Sequence, residues 1–228
     1  SVARTMYSLN DGPFAEGNTI AVDGEGAHTI RYYSIDRAGN QEVVRQTQVK
    51  IDLTPPTIEI SASAIGPAGT VPGPTFGLTD RIQVSVSLAD ALSGIASGNA
   101  TLDGEAVALA FVLEPMELSI GSHTVAAEAL DHAGNEAVGQ YVLEVQMDLS
   151  QLKSVLKYAG QMGWIRNRLV LHSLLAMADY LMRQTDRRKL LIGLKALENM
   201  VRALSGRQID AAFADRMIEE IIPHLAKP

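Results

Sequence analysis

Apolar and polar residues alternate singly along the front of the chain, then change period near Asp148. In Arg81 to Leu88, alternation puts Ile82, Val84, Val86 and Leu88 on one face and Arg81, Gln83, Ser85 and Ser87 on the other. Thr29 to Ile35 is a similar short segment rich in β-branched and aromatic residues. Polar or glycine-rich breaks recur about every 8–12 residues, the rhythm of an antiparallel sandwich. Beyond Asp148, Leu152, Val155, Leu156 and Ala159 follow the i, i+3, i+4, i+7 spacing of a helix with one buried stripe. A second stripe is Leu171, Leu174, Leu175, Ala178, Leu181 and Met182; a third is Leu190, Leu194, Leu197, Val201 and Leu204. Phe213, Met217, Ile221 and Leu225 form a fourth. Asp148 or Ser150 suits the first N-cap, Thr185 or Asp186 the third, and Gly206 a helix C-terminus. These features predict an antiparallel bundle of three to four helices with its own core, lying against the preceding sandwich.

The β-rich part repeats itself. Gly26-Ala27-His28-Thr29 and Asp36-Arg37-Ala38-Gly39-Asn40 recur 95 positions later as Gly121-Ser122-His123-Thr124 and Asp131-His132-Ala133-Gly134-Asn135. One small β-module is used twice. Leu53-Thr54-Pro55-Pro56-Thr57 separates the copies; paired prolines favour extended backbone and make a stiff connector. The second copy runs from Thr57 to about Met147, with Ile65 to Gly77 expected as a long loop or edge excursion. The first copy lacks the front strands of the second, which predicts a half-covered core and an open edge. The expected fold is therefore multidomain. Residues 1–54 form the C-terminal part of a β-module, 55–147 a complete β-sandwich, and 148–228 an all-α antiparallel bundle. On this reading the sequence is the tail of a longer polypeptide.

Charge divides the chain in the same place. Residues 1–147 hold 18 acidic and 6 basic side chains; residues 148–228 hold 8 and 13. The basic end lacks interleaved aromatics, which argues against nucleic acid as a partner. No apolar run is long enough for a membrane-spanning helix. With no cysteine, disulfides, thiolate metal sites and a Cys nucleophile are excluded.

Two stretches resemble known families. Tyr7-Ser8-Leu9-Asn10-Asp11-Gly12, Glu25 to Tyr33, Asp36 to Asn40 and Ile51-Asp52-Leu53-Thr54-Pro55-Pro56 are similar to a bacterial immunoglobulin-like module, over most of 2–56 and more loosely over 57–146. Leu152 to Leu225 resembles the FIMAH-type helical domain, through Gly163-Trp164-Ile165 and Ala203-Leu204-Ser205-Gly206-Arg207-Gln208-Ile209. It departs from that pattern at Arg187-Arg188-Lys189, where a glycine-lysine turn is usual. Together the resemblances imply accessory modules near the C-terminal end of a secreted or surface-exposed Gram-positive bacterial enzyme, such as a glycoside hydrolase or polysaccharide lyase. They transfer no catalytic residue.

Candidate chemistry is sparse. In each Asp-x-Ala-Gly-Asn turn, Asp accepts backbone N–H groups and Gly supplies positive φ, so a hairpin turn accounts for every residue. The sharper alternative is calcium at Asp36 or Asp131, with carbonyl oxygens and acids such as Asp23 or Glu25. His28, His123, His132, His172 and His224 form no metal-ligand spacing, and the two paired histidines read as packing or hydrogen-bonding groups. Ser93-Gly94 and Ser205-Gly206 lack a nucleophile elbow, and Gly66-Pro67-Ala68-Gly69 lacks the lysine and context of a phosphate loop. No paired carboxylates face a cleft, so this chain is not read as an enzyme. Contacts to a ligand are assigned to Tyr32 or Tyr33, one of which points outward, to Trp164, and to the basic turn of Arg187, Arg188 and Lys189. The expected role is a non-catalytic spacer that positions an upstream catalytic domain. The alternatives are a module binding polysaccharide or an anionic cell-wall polymer, and a segment of a surface or adhesion protein.

Overall fold

The computed structural model describes residues 1–66 and 69–227. Pro67 and Ala68, within the stretch compared above with a phosphate loop, lie outside the described residues. The chain divides into two compact units. One comprises Ser1–Glu59, Ser87–Asn99 and Ala127–Gly139; the other comprises Ile60–Val86, Ala100–Ala126 and Gln140–Pro228.

The first copy of the repeat is a single antiparallel sheet. Its strands are β1 (Val2–Leu9), β2 (Ala15–Glu16), β3 (Gly26–Asp36) and β4 (Arg45–Ile51), in the order β2-β1-β3-β4. Tyr7 pairs with Tyr32 and with Ala15, so the three side chains share one face. Apart from Pro56, no apolar side chain before Ala62 is buried among the described residues. The sheet therefore encloses little apolar surface of its own.

The second copy has two sheets. Its strands are β5 (Thr57–Gly66), β6 (Gly69–Pro72), β7 (Thr75–Gly77), β8 (Arg81–Ala89), β9 (Ile95–Leu102), β10 (Glu105–Val107), β11 (Ala110–Leu113), β12 (Gly121–Asp131) and β13 (Glu136–Gln146). They form sheets ordered β10-β9-β12-β13-β7 and β11-β8-β5-β6. The predicted face of β8 holds: Ile82, Val84 and Val86 are buried and Leu88 half-buried. Of the two expectations for Ile65 to Gly77, a long loop or an edge excursion, the described residues follow the second, with β6 and β7 at sheet edges. Both are short, as edge strands with prolines must be, and β7 pairs in parallel with the end of β13.

The helical part follows its apolar stripes, except that Met182 of the second is 41% exposed. α1 (Leu152–Gln161), α2 (Arg168–Met182) and α3 (Arg187–Leu204) bury Leu152, Leu156, Leu174, Leu181, Leu194 and Leu197 at no more than 2% exposure. Each contributes about 2 kcal/mol by apolar burial. Asp148 forms a capping box with Gln151, and Asp186 accepts from the amides of Arg188 and Lys189 at the start of α3. Gly206 has φ +71°, the left-handed conformation that ends a helix without a Cβ clash. The fourth stripe departs from a uniform helix. α4 (Ala211–Arg216) passes into a π-helical turn, Met217–Ile221, before α5 (Ile222–Leu225). Pro223 sits just beyond; its missing N–H and its ring disfavour regular α-helical bonding there.

The bundle is bound to the end of the sandwich within one compact unit. Arg216 donates to the carbonyls of Met116 and Leu118, and Glu220 both pairs with Arg216 at 3.2 Å and accepts the amide of Ile120. No helix is long and apolar enough to cross a membrane among the described residues.

Candidate functional site

The repeated turns have one geometry. Asp36 Oδ1 accepts the amides of Ala38 and Asn40, at 2.8 and 2.9 Å, while Oδ2 accepts the Asn40 side chain. Asp131 does the same with Ala133, Asn135 and the Asn135 side chain. Gly39 and Gly134 carry positive φ at +88° and +94°, which explains the glycine. For Asp36, the Asn40 side chain is the largest influence holding its carboxyl below the usual range. For Asp131, burial works against charging, but the bonds from Asn135, Ala133 and Gly134 outweigh it.

Among the described residues, the second turn is built into a larger cluster. Asp52, directly before the connector, Asp90 and Asp131 each bring one carboxylate oxygen within 4.8 Å of the others. Asp131 is 1% exposed and Asp52 8%. Asp90 Oδ1 accepts the amides of Leu92, Ser93 and Gly94, and the Gly94 amide is the first cause of its lowered pKa. Asp52 Oδ2 accepts the Ser93 amide at 2.9 Å, and Oδ1 accepts Thr54. Asn135 then reaches across to donate to the Asp52 carbonyl at 3.1 Å. The connector is thus hydrogen-bonded to two loops of the second copy.

The donor set is hard oxygen without histidine or thiolate, which suits calcium and not zinc. Of the two candidate ligands, Asp131 lies in this cluster and Asp36 closes only its own turn. The acids grouped with Asp131 are Asp52 and Asp90, which no motif in the sequence marks. The available signal was an Asp just past the last strand of copy one, beside the Pro-Pro connector.

The two equivalent histidines differ in their partners. His28 Nδ1 lies 3.0 Å from Asn10 Nδ2, a donor, and Nε2 lies 3.0 Å from the Gly24 carbonyl, an acceptor. His123 instead faces two acceptors: Asp103 Oδ2 at 2.6 Å and the Ser119 carbonyl at 2.8 Å. Only the doubly protonated ring donates to both. Burial opposes that charge, but the bonds to Asp103 and Ser119 outweigh it and raise the pKa.

The sequence-derived ligand contacts scatter. Tyr33 packs edge-on against Phe14 at 4.9 Å, and Tyr32 is the more open of the pair at 38% exposure. Trp164 lies between Tyr158 and Phe213, at 5.7 and 5.5 Å, beside a crevice of about 240 Å³ that also touches Asp210 and Arg216. Arg187 is committed to structure: it donates to the carbonyls of Ala226 and Lys227, closing the last helical turn. Arg188 and Lys189 are exposed. The structure does not gather these groups into one site.

Neither a protein-family model nor a curated protein sequence matches the chain. Among solved structures, the fibronectin(III)-like modules of Clostridium thermocellum CbhA align with 64% of this chain and 78% of theirs. The identity is 15% and the TM-score 0.30, too loose a superposition to inform the site.

Proposed function

We propose that this chain is a non-catalytic accessory region of a larger secreted bacterial enzyme that acts on polysaccharide, serving as spacer and positioning element. The supporting observation is the joint between the repeats. Asp52 and Thr54 are held by Ser93 and Asn135, so the connector is fixed by hydrogen bonds as well as by its prolines. A fixed joint transmits orientation, which a spacer requires and a flexible tether does not supply. Calcium bound by Asp52, Asp90 and Asp131 would relieve the repulsion among three carboxylates and tighten the same joint.

The test is to delete these residues from the polypeptide that carries them. The reading expects hydrolysis of soluble oligosaccharide to persist and attack on insoluble polymer to fall. Loss of activity on both substrates would place catalytic groups here and overturn the reading. The polymer-binding alternative rests on Trp164 beside its crevice. Affinity electrophoresis of the whole chain in polysaccharide gels decides it, with retardation supporting binding.

A further inference from the structure

The four strands of copy one correspond to one sheet of copy two: the order β2-β1-β3-β4 is repeated in β10-β9-β12-β13. The correspondence extends to bonds. Asn10 accepts the Thr29 amide as Asp103 accepts that of Thr124, and both have φ +50°. His28 sits on the Gly24 carbonyl as His123 sits on that of Ser119. These shared bonds fix which face is which. Ile30 and Tyr32 stand at the positions of Val125 and Ala127, and Tyr7 stands at that of Ala100. Those three residues of copy two are 0%, 1% and 2% exposed. Their counterparts Tyr7, Ile30 and Tyr32 instead border an open hollow of about 190 Å³, lined also by Thr5 and by Gly17 to Ile20. Among the described residues, copy one has no equivalent of the sheet β11-β8-β5-β6.

We propose that the face bearing Tyr7, Ile30 and Tyr32 is one half of a sandwich core, and that a second β-sheet of the same polypeptide covers it in the complete protein. This rests on the reading of the chain as part of a larger enzyme. In copy two the covering strands β5 and β8 precede β9, and the repeat assigns the same order to copy one. The covering sheet differs from its counterpart in a defined way. Where copy two has alanines at 100 and 127, copy one has two tyrosines paired across β1 and β3. The layer opposite them carries glycine or alanine to make room, and a polar group to accept the tyrosine hydroxyls, because a buried phenol without a partner is costly. Tyr32 is therefore a core residue and not the outward-pointing sugar contact that its place beside Tyr33 suggests.

The experiment compares this chain with the same chain extended by the polypeptide that its gene encodes directly before Ser1. Tetranitromethane nitration, mapped by peptide, reports each tyrosine. In the extended protein, Tyr7 and Tyr32 are expected to react roughly tenfold more slowly, while Tyr180, 47% exposed on α2, is unchanged. Equal rates in both proteins would overturn the proposal. So would concentration-dependent dimerisation of the unextended chain that itself protects Tyr7 and Tyr32, since the occupant would then be a second copy. The activity comparison after deletion has a separate readout, so either idea can fail alone.

Discussion

His123 donates a 2.6 Å hydrogen bond from Nδ1 to Asp103 Oδ2, where the first copy sets Asn10 against His28 at 3.0 Å. At equivalent positions one histidine therefore meets a side-chain amide and the other a carboxylate. His123 has a raised pKa, so its contribution to stability is complete below the unfolded histidine value of about 6.5 and is lost as pH rises through the folded value. For Asp103, burial works against charging, but bonding to His123 and Thr124 lowers its pKa. Its contribution is present above about pH 4 and is lost as pH falls through the folded value. Glu144 adds to the field at His123. Thermal midpoints across pH are expected to peak between about 4 and 6.5. Asp103→Asn should lower the midpoint at pH 5 by about 2–4 °C and remove the fall toward alkaline pH. NMR titration should show the pKa of His123 raised, and Asp103→Asn should lower it.

Asn135 and Asn40 occupy the same turn but do different work. Asn40→Ala removes an exposed bond to Asp36 and should cost about 0.5 kcal/mol. Asn135→Ala also removes the donor to the Asp52 carbonyl and should cost about 1–2 kcal/mol. Chemical denaturation of the pair checks the difference, and equal losses would contradict the assignment of Asn135 to the joint.

Calcium at the joint has a specific signature. Millimolar calcium should raise the thermal midpoint by about 3–8 °C relative to chelator. Asp90→Asn should abolish that rise, whereas Asp36→Asn should leave it intact, since Asp36 lies outside the cluster. A rise that survives Asp90→Asn would place the ion elsewhere.

Arg216 is the main polar tie between the bundle and the sandwich end. Burial lowers its pKa and Glu220 counters this, while its guanidinium serves the Met116 and Leu118 carbonyls. Arg216→Ala should cost about 2–3 kcal/mol, because two charge-assisted bonds and the Glu220 partner are lost together. Limited proteolysis should then cut between Met147 and Leu152, where the unaltered chain resists.

Much of this fold could be read from periodicity. The four helical stripes, the caps at Asp148 and Asp186, the stop at Gly206 and the buried face of β8 are all local, and each depends on residues within one or two turns. The π-helical turn was hidden because the Met217–Ile221 stripe keeps its apolar spacing through it. Strands β6 and β7 were legible only as a long loop or an edge excursion, because their prolines and glycines suit a loop and edge strands tolerate both. The acidic cluster was not visible because Asp52 and Asp131 are joined only by folding across the connector. Tyr32 differs in kind: it shares parity with buried His28 on β3, so the alternation places the two on one face of the strand.

The central claim is that the connector holds the two repeats in one orientation. The chain has no cysteine, so Gln46→Cys and Val138→Cys, both at exposed strand positions of one compact unit, accept spin labels cleanly. Pulsed dipolar spectroscopy between them should give a single narrow distance distribution that broadens on Asn135→Ala. A broad distribution in the chain with Asn135 intact would contradict a fixed joint, and with it the spacer reading.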